Sequence, residues 1–271
     1  MNRSTALALC IASLLLTGCG RKPRRPVVVA TTANIAAIVE AVAGKRVENI
    51  TLAPAGMCPG HFDIRPSHVA AAIRADLLVR QGWEVWFDDL EQALPALPER
   101  IVTSQTEGNW MLPDVHRRAV AELTELLAGL DTTRADTFRR NADRYLERID
   151  SAATQAKMMV RELRRQTPGH LPNAIATEHQ APFVRWLGFR VVATYGRPEE
   201  FTASGLTDLA RAGSDSAVGL IVDNLQSGPD AGAPLAEVLG ARHVNLTNFP
   251  SDNDYPATLL LNARDVVAAL E

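Results

Sequence analysis

The chain has 271 residues, of which 46% are hydrophobic, 22% are charged and 5% are aromatic. This composition is that of a globular protein and excludes disordered, fibrous and coiled-coil proteins, and the length suits one large or two modest domains. The formal net charge of −3 argues against nucleic acid as a partner, because binding to phosphates requires a concentrated basic surface.

The first 19 residues are organised like a secretory signal. Arg3 precedes an apolar stretch from Ala6 to Leu16, which is too short to span a bilayer. The sequence Leu16-Thr17-Gly18-Cys19 resembles a bacterial lipobox, and this resemblance implies cleavage before Cys19 and a lipid on its thiol. The alternative is a plain signal peptide with an accidental cysteine.

Residues 20–26 carry four basic residues interrupted by prolines. They predict a non-helical tether that anionic headgroups would attract, or else a merely solvated linker. Since Cys10 would leave with the signal and Cys19 would carry lipid, Cys58 is predicted to be the only thiol of the mature body. We expect an extracytoplasmic protein, lipid-anchored to a bacterial membrane in the periplasm or at the cell surface.

Strand-like and helix-like segments alternate in the first half of the mature chain. The predicted strands span residues 27–32, 47–53, 76–80 and 100–106, and the predicted helices span residues 34–43, 66–75, 86–94 and 112–130. Strands separated by helical patterns are typical of parallel sheets that helices cover on both faces.

Residues 133–165 lack glycine and proline, and apolar side chains recur there at steps of three or four. A helix of this length would measure about 50 Å, more than the width of a small domain. No comparable helix exists to pair with it in a bundle, so we interpret residues 133–166 as a strut between two lobes.

The alternation resumes in the last hundred residues. The predicted strands span residues 174–177, 190–194, 218–222 and 243–246, and the predicted helices span residues 181–187, 205–212, 232–239 and 257–270. The predicted fold class is therefore α/β, with two (β/α)4 lobes, 27–132 and 167–271, and parallel sheets joined by one long rigid bridging helix. Ligands of such sheets bind beyond the carboxyl ends of the strands, so we expect the site in the interlobe cleft.

The loop after the second strand, residues 54–67, concentrates side chains that could bind a metal ion. Cys58 and His61 are three residues apart, a spacing at which one loop can bring both to one ion. The alternative for Cys58 is a small buried residue that binds nothing. Asp63 is expected to fix the loop or a histidine nitrogen.

Several segments resemble the zinc/manganese-type solute-binding proteins of bacterial ABC importers. Residues 59–67 resemble the family loop P-H-x-[FY]-[ED]-x-x-P-S, and Thr177-Glu178-His179-Gln180-Ala181 resembles the family motif [ST]-x-H-D-A. Residues 29–31 followed by residues 35–44 resemble the opening strand and helix of the family, and residues 82–86 and 138–145 resemble further family segments. The resemblance implies an extracytoplasmic receptor with two β/α lobes and one bridging helix, an ABC permease as its partner and no enzymatic activity. We expect a monomer.

The chain departs from the ligand set of that family at three positions. In a gapless alignment Gly60 takes the place of the first ligand histidine, and His61 follows one position later. Asn109 lies in or near the place of the second histidine, and Asn248 lies near the place of the usual carboxylate after the last strand. Only His179 occupies a ligand position of the family.

The chemistry of these departures favours a thiolate in the site. Two amides would leave the charge of a divalent ion uncompensated, whereas a Cys58 thiolate would supply a negative charge and a soft ligand. We therefore predict His61 and His179 as the clamp, with Cys58. The other candidate ligands are Asn109, Asn248, Glu178, Asp252, Asp254 and water. Such a set favours zinc, with copper or manganese as alternatives.

Most of the other polar and aromatic residues are predicted to be structural, packed or solvent-exposed. His116 is predicted on the surface of its helix, and three histidines without partners in the sequence are read as structural or solvated: His68, His170 and His243. The tryptophans at 83, 86 and 110 are assigned to packing. Asp223-Asn224-Leu225-Gln226 follows the seventh strand and either lines the cleft or caps a helix.

The sequence thus predicts an anchored receptor that captures a transition-metal ion as cargo and delivers it to a permease. The alternative is the same receptor fold repurposed to bind a non-metal solute or a metal chelate. A metal-dependent hydrolase would need an open coordination position and a base such as Glu178, and no recognised catalytic motif supports it.

Overall fold

The computed structural model describes residues 24–58, 60, 62–94, 101–167 and 169–271. The predicted signal segment with Cys19, residues 20–23 of the predicted tether, and His61 lie outside the described residues, and what was predicted for them stays a prediction. Among the described helices, none combines the length and apolarity needed to cross a bilayer.

The N-terminal lobe is built on a four-stranded parallel sheet. Its strands are β1 (Val27–Thr32), β2 (Glu48–Ala53), β3 (Leu77–Arg80) and β4 (Ile101–Thr103), in the spatial order β2-β1-β3-β4. Its helices are α1 (Ala33–Ala43), α2 (Pro66–Arg74), α3 (Phe87–Gln92) and α4 (Pro113–Leu130), with a 3₁₀ turn at Gly44–Arg46. All six residues of the central strand β1 are buried, because helices cover both of its faces.

The C-terminal lobe repeats this plan. Its strands are β5 (Asn173–Thr177), β6 (Val191–Tyr195), β7 (Val218–Asn224) and β8 (Arg242–Leu246), in the order β6-β5-β7-β8 and all parallel. Its helices are α6 (Ala181–Leu187), α7 (Ala203–Asp215), α8 (Ala233–Leu239) and α9 (Tyr255–Leu270), with 3₁₀ turns at Pro198–Glu200 and Ser251–Asn253.

One long helix, α5 (Ala135–Gln166, 32 residues), lies between the two sheets and follows a 3₁₀ turn at Thr132–Arg134. At 1.5 Å per residue it is about 48 Å long. It packs on α1 and α4 of the first lobe and on α6 and α9 of the second. Its buried residues form the predicted apolar stripe, namely Phe138, Ala142, Tyr145, Ile149, Ala152, Ala156, Val160 and Leu163. These side chains join both lobes into one continuous hydrophobic core.

The predicted fold class is confirmed, and the ends of the predicted elements differ from the observed ones by no more than three residues. The largest loss is in β4, which ends at Thr103 instead of residue 106. The reason is local. Ser104 and Thr106 each donate a hydroxyl hydrogen bond of 2.7 Å to Glu122 on α4, so this segment turns from the sheet towards the helix.

Candidate metal centre

A cavity of about 400 Å³ lies between the lobes. Its lining comes from segments that directly follow strands, as expected for parallel sheets. The first lobe contributes Asn34, Cys58, Gly60, Gln81, Trp83, Gly108, Asn109 and Trp110, and the second contributes Glu178, His179, Pro182, Arg197, Asn224, Gln226, Ser227, Asn248 and Phe249. The cavity therefore brings Cys58 and His179 to one space from opposite lobes.

His179 lies in the turn between β5 and α6. Partial desolvation in the cleft lowers the pKa of its imidazole, the positive charge of Arg197 lowers it further, and Glu178 and Glu200 oppose the shift. The shift favours the neutral ring, which is the form that binds metal ions. The next residue, Gln180, is buried and fixes this turn to the end of the edge strand β8 by donating from Nε2 to the carbonyl of Leu246 over 2.9 Å.

The described residues supply only part of a coordination sphere. Cys58 is half-buried and not in a disulfide. Within the described ranges, no group of three or more His, Cys, Asp or Glu side chains is arranged to hold a metal ion. The predicted clamp needs His61, which is outside these ranges.

Asn109 has a structural role that was not predicted from the sequence. Its Nδ2 donates to the backbone carbonyl of His179 over 2.7 Å, and its Oδ1 accepts from the N–H of Met111 over 2.8 Å. The amide therefore bridges the two lobes and fixes the backbone of a candidate ligand.

A buried histidine, His116, contacts the loop that carries Asn109. His116 is inaccessible to solvent, which corrects its predicted surface position. Its Nδ1 is 3.1 Å from the carbonyl of Trp110, its Nε2 is 3.2 Å from the hydroxyl of Tyr145, and its ring stacks on Tyr255 with centroids 3.7 Å apart. Burial lowers the pKa of His116 to about 3, although the bond to Trp110 opposes the shift. The neutral ring donates to the carbonyl and accepts from the hydroxyl.

Asn248 lies at the other side of the cavity, beside two further interlobe hydrogen bonds. Gln226 accepts from the Asn248 N–H over 3.1 Å and donates from Nε2 to the carbonyl of Ala55 in the first lobe over 2.9 Å. Asn34 donates from Nδ2 to the Asn248 carbonyl over 3.4 Å. The side-chain oxygens of Asn34 and Asn248 are buried and have no hydrogen-bond partner among the described residues.

The acidic candidates differ in position. Glu178 is exposed on the cavity wall. Asp252 is exposed in a 3₁₀ turn and does not line the cavity, and Asp254 instead caps α9 at the N–H of Ala257 over 3.0 Å and pairs with Arg148 at 2.8 Å. The structure therefore brings Glu178, but neither aspartate, to the site.

Three smaller expectations are also corrected or resolved. Trp83 lines the cavity with 47% of its surface exposed, so it is not a packing residue. His243 has a partner, the buried Asp223, at 2.6 Å from its Nε2. Asn224 and Gln226 line the cavity, whereas Asp223 also accepts from the hydroxyl of Tyr195 within the second lobe.

Arg197 is a charged lining residue that was not predicted from the sequence. It follows β6, and a Cβ atom at position 60 would lie 2.8 Å from its Nη2 and 3.1 Å from its Cζ. Its guanidinium therefore occupies the space that a side chain at position 60 would need. The signal that could have found it is its place after the carboxyl end of a strand, the same rule that selected His179.

A sequence model of the family described as ZnuA, zinc-uptake complex component A, periplasmic, matches residues 28–269. The chain belongs to this family. Membership in the ZnuA family confirms the predicted class, a metal-ion solute-binding protein of ABC importers.

Solved structures share the fold at low sequence identity. The crystal structure of ZnuA is 17% identical, with a TM-score of 0.76 over 92% of this chain and 100% of its own. A zinc-bound deletion mutant of ZnuA is 17% identical, with a TM-score of 0.75 over 91% of this chain and 98% of its own. The manganese-bound periplasmic metal-binding protein of Candidatus Liberibacter asiaticus is 15% identical, with a TM-score of 0.74 over 91% of this chain and 100% of its own. These similarities show the ZnuA-like two-lobed fold.

Proposed function

We propose that this chain is the extracytoplasmic receptor of an ABC importer, which captures a transition-metal ion between its lobes and delivers it to a membrane permease. The observation that carries this proposal is the match of residues 28–269 to the ZnuA family. The cavity supports it, because Cys58 and His179 line one space from opposite lobes. Binding of this kind holds cargo and needs no catalytic group.

In this proposal the ion is bound by the Cys58 thiolate and the His179 imidazole, and His61 supplies a further imidazole from the loop of Cys58. Asn109 positions His179 through its backbone, because both functions of its amide are engaged. The Oδ1 of Asn248, which has no hydrogen-bond partner among the described residues, would be a further ligand.

Zinc is the proposed cargo. A thiolate and imidazoles are ligands that zinc and copper accept readily, whereas manganese prefers carboxylates and water. Glu178 is the one carboxylate among the described lining residues, which is too few for a site built for manganese.

The proposal includes export and anchoring. Residues 1–19 would act as the signal, Cys19 would carry the lipid, and residues 20–26 would connect the lipid to the lobes at the membrane. A lipidated monomer at the outer face of the membrane would hold its cleft within reach of a permease.

Release would require movement of a loop more than rotation of a lobe. The helix α5 packs on both lobes, and three amide hydrogen bonds, from Asn34, Asn109 and Gln226, cross the cleft. The loop after β2 carries Cys58 and His61 and is the segment whose movement would open the proposed sphere.

The test is the thermal stabilisation of the mature protein by zinc. Ligand binding raises the melting temperature by mass action, so His61→Ala, His179→Ala and Cys58→Ser should each reduce the zinc-induced rise. His170→Ala is the matched control, since His170 is exposed and is not among the residues that line the cavity. An unchanged rise in a variant would remove that residue from the site, and no rise in the wild-type protein would contradict metal capture.

A second candidate function is capture of a non-metal solute. A volume of about 400 Å³ is in the range of small-molecule sites, and most of the polar lining is amide. Elemental analysis of the purified protein and melting curves with zinc, before and after alkylation of Cys58, distinguish the two. Bound metal lost on alkylation supports metal capture.

A further inference from the structure

A fixed positive charge lies in the part of the cleft where a metal ligand was expected. The guanidinium of Arg197 lies against Gly60, close enough that a Cβ atom there would be 2.8 Å from Nη2. Gly60 is the residue that a gapless alignment places at the family's first ligand histidine. An arginine of the second lobe therefore fills the space beside this position.

No ion pair among the described residues balances this charge, although the carboxylate of Glu178 lies on the same cavity wall. The Arg197 side chain is half-buried and forms no hydrogen bond or ion pair within the described ranges, although its backbone N–H donates to Glu200 over 3.2 Å. The guanidinium repels a cation that enters the cavity. A bare divalent cation would enter against this repulsion, and an anion that accompanies the metal would remove it.

The remaining lining has hydrogen-bonding capacity for such an anion. Asn34 is 4% exposed, and its Oδ1 and that of Asn248 have no partner in the described part of the chain. Buried polar atoms rarely stay unpaired, and a hydroxyl group of a ligand could donate to these oxygens. A guanidinium is the matching partner for a carboxylate, which it binds through two parallel hydrogen bonds.

The volume of the cavity and the small number of protein ligands also favour a metal ion that enters together with an organic anion. About 400 Å³ is far more than a single ion requires and suits a small organic molecule. Cys58 and His179 would supply only two of the four ligands of a tetrahedral ion. Carboxylate oxygens from a chelator would fill the positions that the described residues leave open.

We propose that the cargo enters the cleft as an anionic metal complex of a small hydroxycarboxylate chelator, whose carboxylate is bound by Arg197 and whose metal is bound by Cys58 and His179. This inference rests on the proposed function and specifies the form in which the metal is captured. It makes Arg197 a specificity-determining residue. The chelate, with its net negative charge, satisfies the guanidinium and the metal ligands together.

The experiment is equilibrium dialysis of the metal-free mature protein against zinc alone, zinc with citrate at the same free zinc concentration, and citrate alone. Retained zinc is measured by elemental analysis and retained citrate by radiolabel. We expect the wild-type protein to retain zinc and citrate in equal amounts, with an affinity at least about tenfold higher than for zinc alone. Inorganic phosphate in place of citrate should give no such gain.

Variants separate the role of Arg197 from general charge. Arg197→Ala should weaken binding of zinc citrate about 10- to 100-fold and leave binding of zinc alone no weaker, because a charged bidentate partner is lost. Arg197→Lys should give an intermediate loss. Arg190→Ala is the matched control, since Arg190 is exposed just before β6, at the end of the strand opposite Arg197.

The outcomes distinguish the two proposals. If zinc binds equally well with and without citrate, or if Arg197→Ala leaves binding of zinc citrate unchanged, the chelate inference is wrong while metal capture stands. If citrate alone binds as tightly as zinc citrate, the cleft takes an organic solute. If no zinc is retained in any arm, the proposed function fails. A gain with phosphate alone would overturn the assignment to a carboxylate.

Discussion

The side-chain amide of Asn109 donates a hydrogen bond across the interlobe cleft to the backbone carbonyl of His179, 2.7 Å away. Its oxygen accepts from the N–H of Met111 on its own loop, so the orientation of the amide is fixed at both ends. The family resemblance implies a second ligand histidine near position 109. This chain has an asparagine there, which holds the backbone of the candidate ligand His179. We expect its loss to act on binding through the position of His179.

Asn109→Ala should lower the free energy of unfolding by about 1 kcal/mol, the usual net value of a hydrogen bond, and should weaken zinc binding. Urea unfolding and zinc titration check the two effects. Asn141→Ala is the control, because Asn141 donates over 2.7 Å to the carbonyl of Val42 outside the cleft. The control should lose similar stability without losing zinc affinity. Equal zinc affinity in both variants would contradict the positioning role.

The charge of Arg197 should be measurable on His179 without any metal. Because Arg197 is one of the two causes that lower the pKa of His179, Arg197→Ala should raise it, though not beyond what the larger cause, desolvation, permits. NMR titration of the imidazole in the metal-free protein measures the shift. An unchanged or lower pKa in the variant would show that the two groups do not interact within the second lobe.

The fold was predictable because its signals are local and repeated. The valine-rich run of β1 and the apolar stripe from Phe138 to Leu163 each favour one burial pattern, and both elements are present as predicted. The end of β4 was predicted wrongly. It depends on Glu122, which lies on the following helix and accepts hydrogen bonds from Ser104 and Thr106. Such a side-chain contact has no periodicity in the sequence.

The site was predictable only in outline. The rule that ligands bind beyond strand ends brings Cys58, His179, Asn109 and Asn248 to one cavity. The same rule applied to β6 would have selected Arg197. What the sequence could not give is which polar groups are already engaged, as Asn109 is, and which are left unpaired, as the Asn248 oxygen is.

The surface position predicted for His116 was wrong because it was inferred from the polarity of the side chain. It lies three and four residues before Ala119 and Val120, both fully buried, and so it shares the apolar face of α4. A histidine can occupy that face because Trp110 and Tyr145 satisfy its two nitrogens. At this position the apolar periodicity of α4 predicts burial better than the residue type does.

His116 should make stability depend on pH in a way that a single substitution reveals. Its native pKa of about 3 lies below its ordinary value of 6.5, so the unfolded chain binds one more proton than the native protein between these values. The stabilising contribution is complete above about pH 6.5 and is lost as the pH falls, with a slope of about 1.4 kcal/mol per pH unit.

His116→Phe keeps a ring beside Tyr255 but cannot take up a proton. At pH 7 it should be less stable than the wild-type protein by about 2–3 kcal/mol, because the Trp110 carbonyl and the Tyr145 hydroxyl lose their partner. Between pH 6 and 4 that difference should shrink, whereas His170→Ala, altered at an exposed residue, should follow the wild-type curve. Urea unfolding of the three metal-free proteins at each pH measures this convergence, and parallel curves for wild type and His116→Phe would show that His116 takes up a proton in the native protein.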